Sequence, residues 1–256
     1  MKVVILAGGL GTRLAEETEI KPKPMVEVGE KPILWHIMKH YARFGFREFI
    51  IALGYKGDMI KRFFLENSSL QGSLSINTRT GNIVARDEVG EDWLVHLVDT
   101  GLESSTGGRI GRVRSYIGEE RFLMTYGDGV SNVDLNALIA IHEKNRCIAT
   151  LTAVRPPARF GGLIFNGDRI AQFTEKPQIG EGWINGGFMV MESKIFDYIP
   201  YDSTNLEVDV LDKLAVENQL AAYRHDDFWQ CMDTLRDKKL LESLWQQGNA
   251  PWKTWA

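Results

Sequence analysis

Strand-like and helix-like segments alternate regularly over the first 155 residues of the chain. A short β-branched run, Val3–Ala7, ends at two glycines, as a buried parallel strand does. Residues 31–44 then place apolar side chains on one face at helical spacing, with Pro32 in the first turn. This order predicts a parallel sheet that is covered by helices on both faces.

The remaining elements follow from the same patterns. Further strands are predicted at residues 49–53, 94–98, 122–126 and 148–154, and further helices around residues 59–64, 110–117 and 135–139. Residues 70–92 are polar and carry a turn at Thr80, Gly81 and Asn82, which predicts a hairpin or a long flap. Residues 160–192 contain three short strand candidates, which predicts an antiparallel or mixed elaboration on the sheet. The chain then returns to helix at residues 206–214 and 235–245.

Composition excludes several classes of protein. Thirty Lys and Arg stand against 34 Asp and Glu, and the resulting net charge of −4 argues against nucleic acid as a partner. Two cysteines outside any CxxC motif argue against a disulfide framework or a structural zinc site. No apolar run approaches the ~18 residues of a membrane span, and the start MKVVILAGG is too short for a signal peptide. We therefore expect a cytoplasmic protein without a membrane partner.

A glycine-rich loop closes the first predicted strand. It comprises Leu6, Ala7, Gly8, Gly9, Leu10, Gly11, Thr12 and Arg13. Glycines let backbone N–H groups approach phosphate oxygens, and the Arg13 guanidinium is suited to a polyphosphate. A dinucleotide-binding fingerprint would need glycine at Leu14, and a P-loop would need lysine after Gly11. The loop is therefore typical of phosphate binding but of neither common kind, and a plain turn remains an alternative for the glycines alone.

A lysine–proline repeat follows ten residues later, at residues 21–24. The prolines hold the backbone extended, so Lys21 and Lys23 point to opposite sides. One lysine can then face the glycine loop while the other faces solvent. Taken alone, the repeat is equally typical of a solvated surface segment.

Together, residues 6–14, the repeat with Met25, Gly29 and residues 31–34 resemble the signature of the sugar-1-phosphate nucleotidylyltransferase family. The resemblance runs the length of the chain and implies a Rossmann-like, mixed and mainly parallel sheet of the GT-A-like nucleotidyltransferase fold. It implies a Mg²⁺-dependent reaction in which a nucleoside triphosphate and a sugar 1-phosphate react and pyrophosphate is released. We expect a single domain over residues 1–256, with a nucleotide-binding half at 1–155 and the sugar-binding and C-terminal part at 156–256.

The same resemblance assigns roles in the nucleotide half. Residues 8–11 are expected against the nucleotide, Arg13 on the pyrophosphate portion and Lys23 on phosphate, with Arg13, Lys23 and Asp128 carrying catalysis. Asp128 lies between Gly127 and Gly129 after a predicted strand, where carboxylate oxygens suit Mg²⁺. An aspartate that caps its own turn is the alternative.

A second metal ligand is expected from late in the chain, at Asp233. This residue precedes a helical pattern, so helix capping by Asp233 or Thr234 is the alternative reading of that segment. Two carboxylates on one Mg²⁺ would align the reacting phosphates. Because a sugar phosphate is already ionised, we expect catalysis by positioning and charge neutralisation rather than by acid–base chemistry.

Two further motifs are expected at the sugar end of the site. Glu175 and Lys176 precede a proline, and Asn185 and Gly186 precede a second glycine. Glutamate and asparagine can bind sugar hydroxyls, and lysine can pair with the sugar phosphate. The family uses both motifs to line its sugar site, whereas each motif alone is also typical of a surface ion pair or a turn.

Several segments resemble the branch of the family that uses CTP and glucose 1-phosphate and forms CDP-glucose. These are residues 31–38, 98–110, 156–161, 228–230, 232–238 and 250–255. The resemblance implies a product that is a precursor of the 3,6-dideoxyhexoses of bacterial surface polysaccharides, and we expect a homo-oligomer. The pair Gly161 and Gly162 departs from the family, whose members often carry alanine at the second position.

The base is expected to be read near Thr106, Gly107 and Gly108, whose backbone carbonyls could accept the cytosine amino group. Arg109 would add a donor to the base or a phosphate, and Thr106 could equally cap the following helix. Three other functions stay open: the same reaction with another nucleotide or hexose 1-phosphate, a catalytically inactive sensor of nucleotide sugars, and a redox Rossmann protein, which Leu14 opposes.

Overall fold

The described part of the chain is built around a sheet of short apolar strands. A computed structural model describes residues 1–11, 20–70, 74–85, 90–155, 162–166, 169–174 and 182–255. Its strands are β1 (Val3–Ala7), β2 (Glu27–Val28), β3 (Lys31–Pro32), β4 (Glu48–Leu53), β5 (Leu74–Ile76), β6 (Ile83–Ala85), β7 (Leu94–Asp99), β8 (Phe122–Tyr126), β9 (Gly129–Ser131), β10 (Ala149–Val154), β11 (Gly162–Asn166), β12 (Arg169–Thr174), β13 (Ile184–Asn185), β14 (Met189–Met191), β15 (Leu220–His225) and β16 (Trp229–Cys231).

Helices surround these strands. They are α1 (Ile33–Arg43), α2 (Gly57–Leu70), α3 (Thr106–Arg112), α4 (Arg114–Ile117), α5 (Leu135–Asn145), α6 (Asp212–Val216) and α7 (Leu235–Gln246). Lys23–Met25 and Ser193–Tyr198 form 3₁₀ turns, and a π-helical segment, Leu206–Leu211, leads into α6. Within the described ranges, no helix has the length and apolar character to cross a membrane.

Eight of the described strands form the central sheet, in the order β7-β4-β1-β8-β14-β10, with β13 and β15 also paired to β10. Strand β1 runs parallel to β4 and β8, and β4 runs parallel to β7. Strand β14 is antiparallel to β8 and β10, whereas β15 is parallel to β10. The fold is a mixed, mainly parallel α/β sheet flanked by helices, which confirms the predicted class.

Alternate residues of β1 enter two hydrophobic clusters, one on each face of the sheet. Val3 and Ile5 pack in the cluster that contains the buried face of α1, and Val4 and Leu6 pack in the cluster that contains the buried face of α3. All four side chains are buried. A parallel strand that is covered on both faces needs an apolar residue at every position, which explains the uninterrupted apolar run at the start of the chain.

The topology fixes where a ligand can bind. From β1 the chain proceeds to β4 and β7 on one side, and then crosses to β8 on the other side of β1. In open α/β sheets, ligands bind beyond the carboxyl ends of the strands at such a switch in strand order. The glycine loop follows β1 and Asp128 follows β8, so both lie at this point.

Most predicted elements are present with small differences in their ends. Helix α1 begins at Ile33, because Pro32 is its N-cap residue and Lys31–Pro32 pairs with β2. The helical pattern at residues 110–117 forms two short helices, α3 and α4, which meet at Val113. The hairpin around Gly81 is confirmed as the antiparallel pair of β5 and β6.

The predicted elaboration is confirmed in β11 and β12, an antiparallel pair outside the central sheet. Strands β13 and β14 instead join the central sheet beside β10. Strands β15 and β16 were not predicted. Strand β16 has only three residues, and β15 is partly exposed with Tyr223, Arg224 and His225 in its second half, so neither has a clear strand pattern.

Candidate active site

A cavity of about 470 Å³ opens at the carboxyl ends of β1 and β8. The glycine loop, the lysine–proline repeat, the loop after β7 and the start of α3 form its walls. Its described lining residues are Leu6, Ala7, Gly8, Gly9, Gly11, Lys23, Pro24, Ser104, Ser105, Thr106, Arg109, Tyr126, Gly127, Asp128, Asn205 and Asp233. The structure therefore brings together residues from the two ends of the sequence, as the family signature implies.

Lys23 lies between the two carboxylates that were expected to bind metal. Its Nζ donates to Asp128 Oδ2 over 2.6 Å and to Asp233 Oδ1 over 2.5 Å. Burial by itself lowers the pKa of Lys23, but the charges and hydrogen bonds of the two carboxylates outweigh it and raise the pKa above its ordinary value. Lys23 is therefore a permanent cation at the centre of the site.

The turn at residues 21–25 explains why Lys23 alone of the two lysines enters the cavity. Pro22 is extended, with φ −66° and ψ 149°, and Lys23 starts a single 3₁₀ turn. Lys21 pairs instead with Glu27, its Nζ 2.9 Å from the carboxylate, outside the set of cavity-lining residues. This arrangement confirms that the two lysines point to different sides.

A short pair of strands brings Asp128 and Asp233 together. β9, directly after Asp128, pairs antiparallel with β16, which ends two residues before Asp233. The backbone N–H of Met232 also donates to the carbonyl of Asp128 over 2.8 Å. Two carboxylates that are far apart in the sequence therefore face the same ammonium.

Neither Asp233 nor Asp128 uses its side chain as a cap in the hydrogen bonds that the structure describes. Thr234 is the N-cap of α7, and it forms a reciprocal capping box with Asp237. Thr234 therefore carries the cap, which leaves the carboxylate of Asp233 to bind Lys23. For Asp128, the hydrogen bond that the structure gives its side chain comes from Lys23 and not from its own turn.

Arg109 is a buried cation at the edge of the cavity, with a side chain that holds the loop after β7. Its guanidinium donates to the carbonyls of Leu53, Gly101 and Leu102 and to the hydroxyl of Thr100, over 2.7 to 3.2 Å. Burial first, and then the charge of Arg112, lower its pKa, but a guanidinium stays protonated at neutral pH. Because these four partners are neutral, they leave its positive charge available to an anionic ligand.

The Arg109 guanidinium packs so closely against the backbone of Gly8 that no larger side chain fits at this position. A Cβ at Gly8 would lie 2.3 Å from the nearer guanidinium nitrogen, whereas a Cβ at Gly9 would meet nothing within 4 Å. Gly127 makes a similar close approach, since its Cβ would lie 2.9 Å from the carbonyl oxygen of Leu6. In the glycine loop, Gly8 therefore permits the close packing of Arg109, and Gly9 faces open space.

The structure gives Gly107 and Gly108 a different environment from the expected one. Both lie within α3 and are buried, and neither lines the cavity. A Cβ at Gly108 would collide with the carbonyl of Asp202, and one at Gly107 with that of Thr204. The close approach that these glycines allow is therefore to residues 202–206 rather than to a base. In an α-helix each carbonyl faces the N–H four residues on, so those of Gly107 and Gly108 are directed along α3 towards Gly111 and Arg112 rather than into the cavity.

Thr106 does not cap α3, which begins after Ser105. Its hydroxyl donates to Glu207 Oε2 over 2.7 Å and accepts from the backbone N–H of Leu206 over 2.9 Å. Glu207 also accepts a hydrogen bond from Tyr126, which lines the cavity. Glu207 and Tyr126 were not identified from the sequence.

Asn185 lies close to the cavity wall through Tyr126, because its Nδ2 donates to the Tyr126 hydroxyl over 3.3 Å. Gly186 packs against Val154, and its carbonyl accepts from the indole N–H of Trp229 over 2.8 Å. Neither residue itself lines the cavity. The structure thus places Asn185 and Gly186 directly behind the Tyr126 side of the site.

Four expected site residues lie outside the described residues. They are Thr12, Arg13, Glu175 and Lys176, and residues 156–161 lie outside them as well. Leu10 is described, but it is exposed and does not line the cavity. Ser104, Ser105 and Asn205 do line it and were missed, although the position of the two serines after β7 could have indicated them.

The donor set suits a hard divalent cation. Asp128 and Asp233 present carboxylate oxygens to the same point, occupied by the Lys23 ammonium. Among the described residues, no cluster of three or more His, Cys, Asp or Glu could hold a metal ion. Magnesium is commonly held by one or two carboxylates together with substrate phosphates and water, and the two aspartates fit that pattern.

The fold and the cavity are those of a nucleotidyltransferase: a doubly wound sheet whose switch point carries a glycine loop, a half-buried lysine and two carboxylates. The sequence model of the Nucleotidyl transferase family matches residues 2–237, and the chain belongs to that family. The chain is 50% identical, over all of its 256 residues and all of the other chain, to the glucose-1-phosphate cytidylyltransferase of Salmonella typhimurium. It is 43% identical, again over both full lengths, to a probable glucose-1-phosphate cytidylyltransferase of Bacillus subtilis.

Solved structures agree with this family. The crystal structure of HddC from Yersinia pseudotuberculosis complexed with GMP-PN has a TM-score of 0.70 and 25% identity, and the match covers 95% of this chain and 99% of that one. UDP-glucose pyrophosphorylase complexed with UDP-glucose has a TM-score of 0.69, with 96% and 98% covered and 17% identity, and so shows the fold alone.

Proposed function

We propose that the chain transfers a cytidylyl group from CTP to α-D-glucose 1-phosphate, and that CDP-glucose and pyrophosphate are the products. The observation that carries this proposal is the 50% identity, over the full length of both chains, with a curated glucose-1-phosphate cytidylyltransferase. The cavity at the switch point supports the chemistry independently of that name. It combines a glycine loop, two cationic side chains and two carboxylates in a volume that suits a nucleotide.

The reaction is an in-line displacement at phosphorus. An oxygen of the sugar phosphate forms a bond to the α-phosphorus of CTP, and the bond from that phosphorus to the bridging oxygen of the β-phosphate breaks. Pyrophosphate leaves with the electron pair. The attacking oxygen is already anionic, so no side chain has to remove a proton.

The chain's own residues supply positioning and charge. Residues 8–11 allow close approach of the backbone to the triphosphate. Lys23, kept protonated by the two carboxylates, and Arg109 neutralise negative charge on the phosphates. Arg13, by family resemblance, grips the pyrophosphate portion. Glu175, Lys176, Asn185 and Gly186 are proposed for the sugar phosphate.

Asp128 and Asp233 would hold Mg²⁺, which supplies further neutralisation of phosphate charge when it is bound. Both carboxylates bind Lys23 through one oxygen in the structure. Carboxylate oxygens are the ligands that Mg²⁺ prefers, and on Asp233 the second oxygen, Oδ2, also accepts from the Cys231 thiol over 3.6 Å. Lys23 and the metal would then act together on the same phosphates.

The proposal is tested by incubating the purified chain with CTP, UTP, GTP, ATP or dTTP and a panel of hexose 1-phosphates. Pyrophosphate release is followed continuously, and the sugar nucleotide is identified by its mass. We expect one CDP-glucose for each pyrophosphate, and no release without the sugar phosphate. Faster turnover of GTP with mannose 1-phosphate would instead indicate the activity of mannose-1-phosphate guanylyltransferases, two of which are 28% identical to this chain. A chain that binds sugar nucleotides but releases no pyrophosphate would be a sensor.

Homo-oligomer formation, a cytoplasmic location and use of the product for dideoxyhexoses stay predictions. Light scattering on the purified chain gives the mass directly. A mass equal to one chain at micromolar concentration would contradict the oligomer.

A further inference from the structure

A chain of hydrogen bonds runs through Glu207, a residue that no sequence motif contains. Tyr126 Oη donates to Glu207 Oε1 over 2.6 Å, and Thr106 Oγ1 donates to Glu207 Oε2 over 2.7 Å. Asn185 Nδ2 donates to Tyr126 Oη over 3.3 Å. One carboxylate therefore links the start of α3, on the nucleotide side of the cavity, with Asn185, on its proposed sugar side.

The donor and the acceptor of each hydrogen bond in this network around Glu207 can be assigned. Thr106 Oγ1 accepts from the backbone N–H of Leu206, so its single proton is free to go to Glu207. Burial first, and then the charge of Glu207, raise the pKa of Tyr126, so its hydroxyl stays a donor. Asn185 Oδ1 accepts from the backbone N–H of Gly187 over 2.9 Å, which sets the orientation of the amide. These bonds use one of its two amide hydrogens.

The backbone at both ends of the chain of bonds is unusual. Glu207 lies in the π-helical segment Leu206–Leu211, and Asn205 caps that segment by accepting from the N–H groups of Glu207 and Val208. After Asn185 the strand bends, and Phe188 adopts a positive φ of 44°. Both π-helical turns and positive φ at bulky residues are rare and are concentrated at functional sites.

We propose that Glu207 is a positioning residue, which keeps the nucleotide end and the sugar end of the cavity at a fixed distance and orientation relative to each other. The proposal rests on the proposed function for what the two ends bind. Its physical basis is that a carboxylate accepts from both hydroxyls at once. Glutamine has the same shape but only one acceptor, so one of the two hydroxyl protons would lose its partner.

The test compares Glu207→Gln, Tyr126→Phe and Thr106→Val, using steady-state kinetics with each substrate varied in turn. We expect Thr106→Val to raise mainly the KM for the nucleotide and Tyr126→Phe mainly the KM for the sugar phosphate. Glu207→Gln should raise both, by about five- to twentyfold each. Thr106→Ser, which retains the hydroxyl, should restore most of what Thr106→Val loses.

A matched control exists on the surface. Glu217 accepts from the hydroxyl of Tyr198 over 2.6 Å, in the same kind of pair but at an exposed position. Glu217→Gln should leave both KM values within twofold of the parent. If Glu207 only stabilised the fold, Glu207→Gln would lower the unfolding midpoint and the active fraction while both KM values stayed unchanged, and that result would overturn the proposal.

A double variant tests the link itself. Residues that act through one network are not additive, so Glu207→Gln with Tyr126→Phe should have a KM for the sugar phosphate within threefold of Glu207→Gln alone. If the effects of the two substitutions on this KM multiplied, the proposal would be overturned.

The assays use whichever substrate pair the parent turns over fastest, so a wrong base assignment would appear in the parent and leave the comparison valid. If the parent turns over no pair, calorimetric Kd values for CTP and glucose 1-phosphate replace KM with the same expected pattern. Should Glu207→Gln fail to fold, Tyr126→Phe and Thr106→Val still decide, because unchanged KM values in both would overturn the link.

Discussion

Single residues set the charge of the site, and Lys23 is the clearest case. Its ammonium donates to two carboxylates, so the three side chains together carry a net charge of −1. A nucleoside triphosphate brings several further negative charges, and the cations that line the described part of the cavity are Lys23 and Arg109. Their two charges do not balance the triphosphate and the two carboxylates, which supports the proposal of a divalent cation at the site.

Removing one of the two carboxylates tests this expectation. Asp128→Ala should lower turnover at least a hundredfold at limiting Mg²⁺, because the reacting phosphates lose a charged anchor and Lys23 loses one of its two partners. The fold should remain nearly intact by circular dichroism. Asp92→Ala is a suitable control, since Asp92 is 92% exposed and pairs with Arg47 at the surface. Turnover of Asp128→Ala within tenfold of the parent would remove the metal assignment.

The glycine loop offers a second test at the residue scale. Gly8→Ala would place a methyl group against the Arg109 guanidinium, which four hydrogen bonds hold in place. We expect it to lower the free energy of unfolding by about 1–3 kcal/mol, as overpacking does. Gly9→Ala meets nothing within 4 Å and should leave unfolding in urea unchanged within about 0.5 kcal/mol. Equal stability of the two variants would show that Arg109 moves freely.

At the scale of elements, α1 carries two buried histidines that make the fold sensitive to acid. His36 donates from Nε2 to the carbonyl of Val28 and accepts at Nδ1 from the indole N–H of Trp252, and His40 Nδ1 contacts the hydroxyl of Thr254. Burial lowers the pKa of each ring to about 4. Both rings are therefore neutral in the folded chain at pH values where an unfolded chain would protonate them.

The sign of the pH dependence follows from this. Each folded pKa of about 4 lies below the ordinary value of 6.5, so the unfolded chain binds more protons between these pH values. Stability is complete above pH 6.5 and falls as the pH decreases towards 4, with uptake of about two protons by these rings on unfolding near pH 5. Urea unfolding at pH 7.5, 6 and 5 measures this. A free energy of unfolding that does not change between pH 7.5 and 5 would contradict the burial of both rings.

Elements also mark the limit of what the sequence could predict. The parallel strands follow from uninterrupted apolar runs and were predicted almost to their ends. The long helices follow from one-sided periodicity, but α2 and α5 each extend six residues beyond the last residue that marked them. Strands β9 and β16 have three residues each, too few for a period, yet their pairing is what brings Asp128 and Asp233 to Lys23. The family resemblance identified the two aspartates, but no local pattern could have predicted the distance between them.

At the scale of the whole molecule, the site is assembled from contacts between distant parts of the chain. Glu207 is 101 residues from Thr106 and 81 from Tyr126. Its role depends on a π-helical segment that has no sequence signature comparable to a glycine loop. For Gly107 and Gly108 the residue type predicted a close approach by another group, but the sequence did not indicate which group. Both glycines face residues 202–206, a segment that only the folded chain brings near.

The central claim is that the chain selects CTP, and the ratio of kcat/KM for CTP and UTP with glucose 1-phosphate, in one buffer, tests it most directly. The two bases differ at C4, where cytosine has an amino donor and uracil a carbonyl acceptor. A buried acceptor aimed at that edge pairs with cytosine and is left unpaired by uracil. We predict a preference for CTP of about 10²- to 10⁴-fold, larger when water is excluded from the base. Equal values for the two nucleotides would contradict the cytidylyltransferase assignment and leave only membership of the nucleotidyl transferase family.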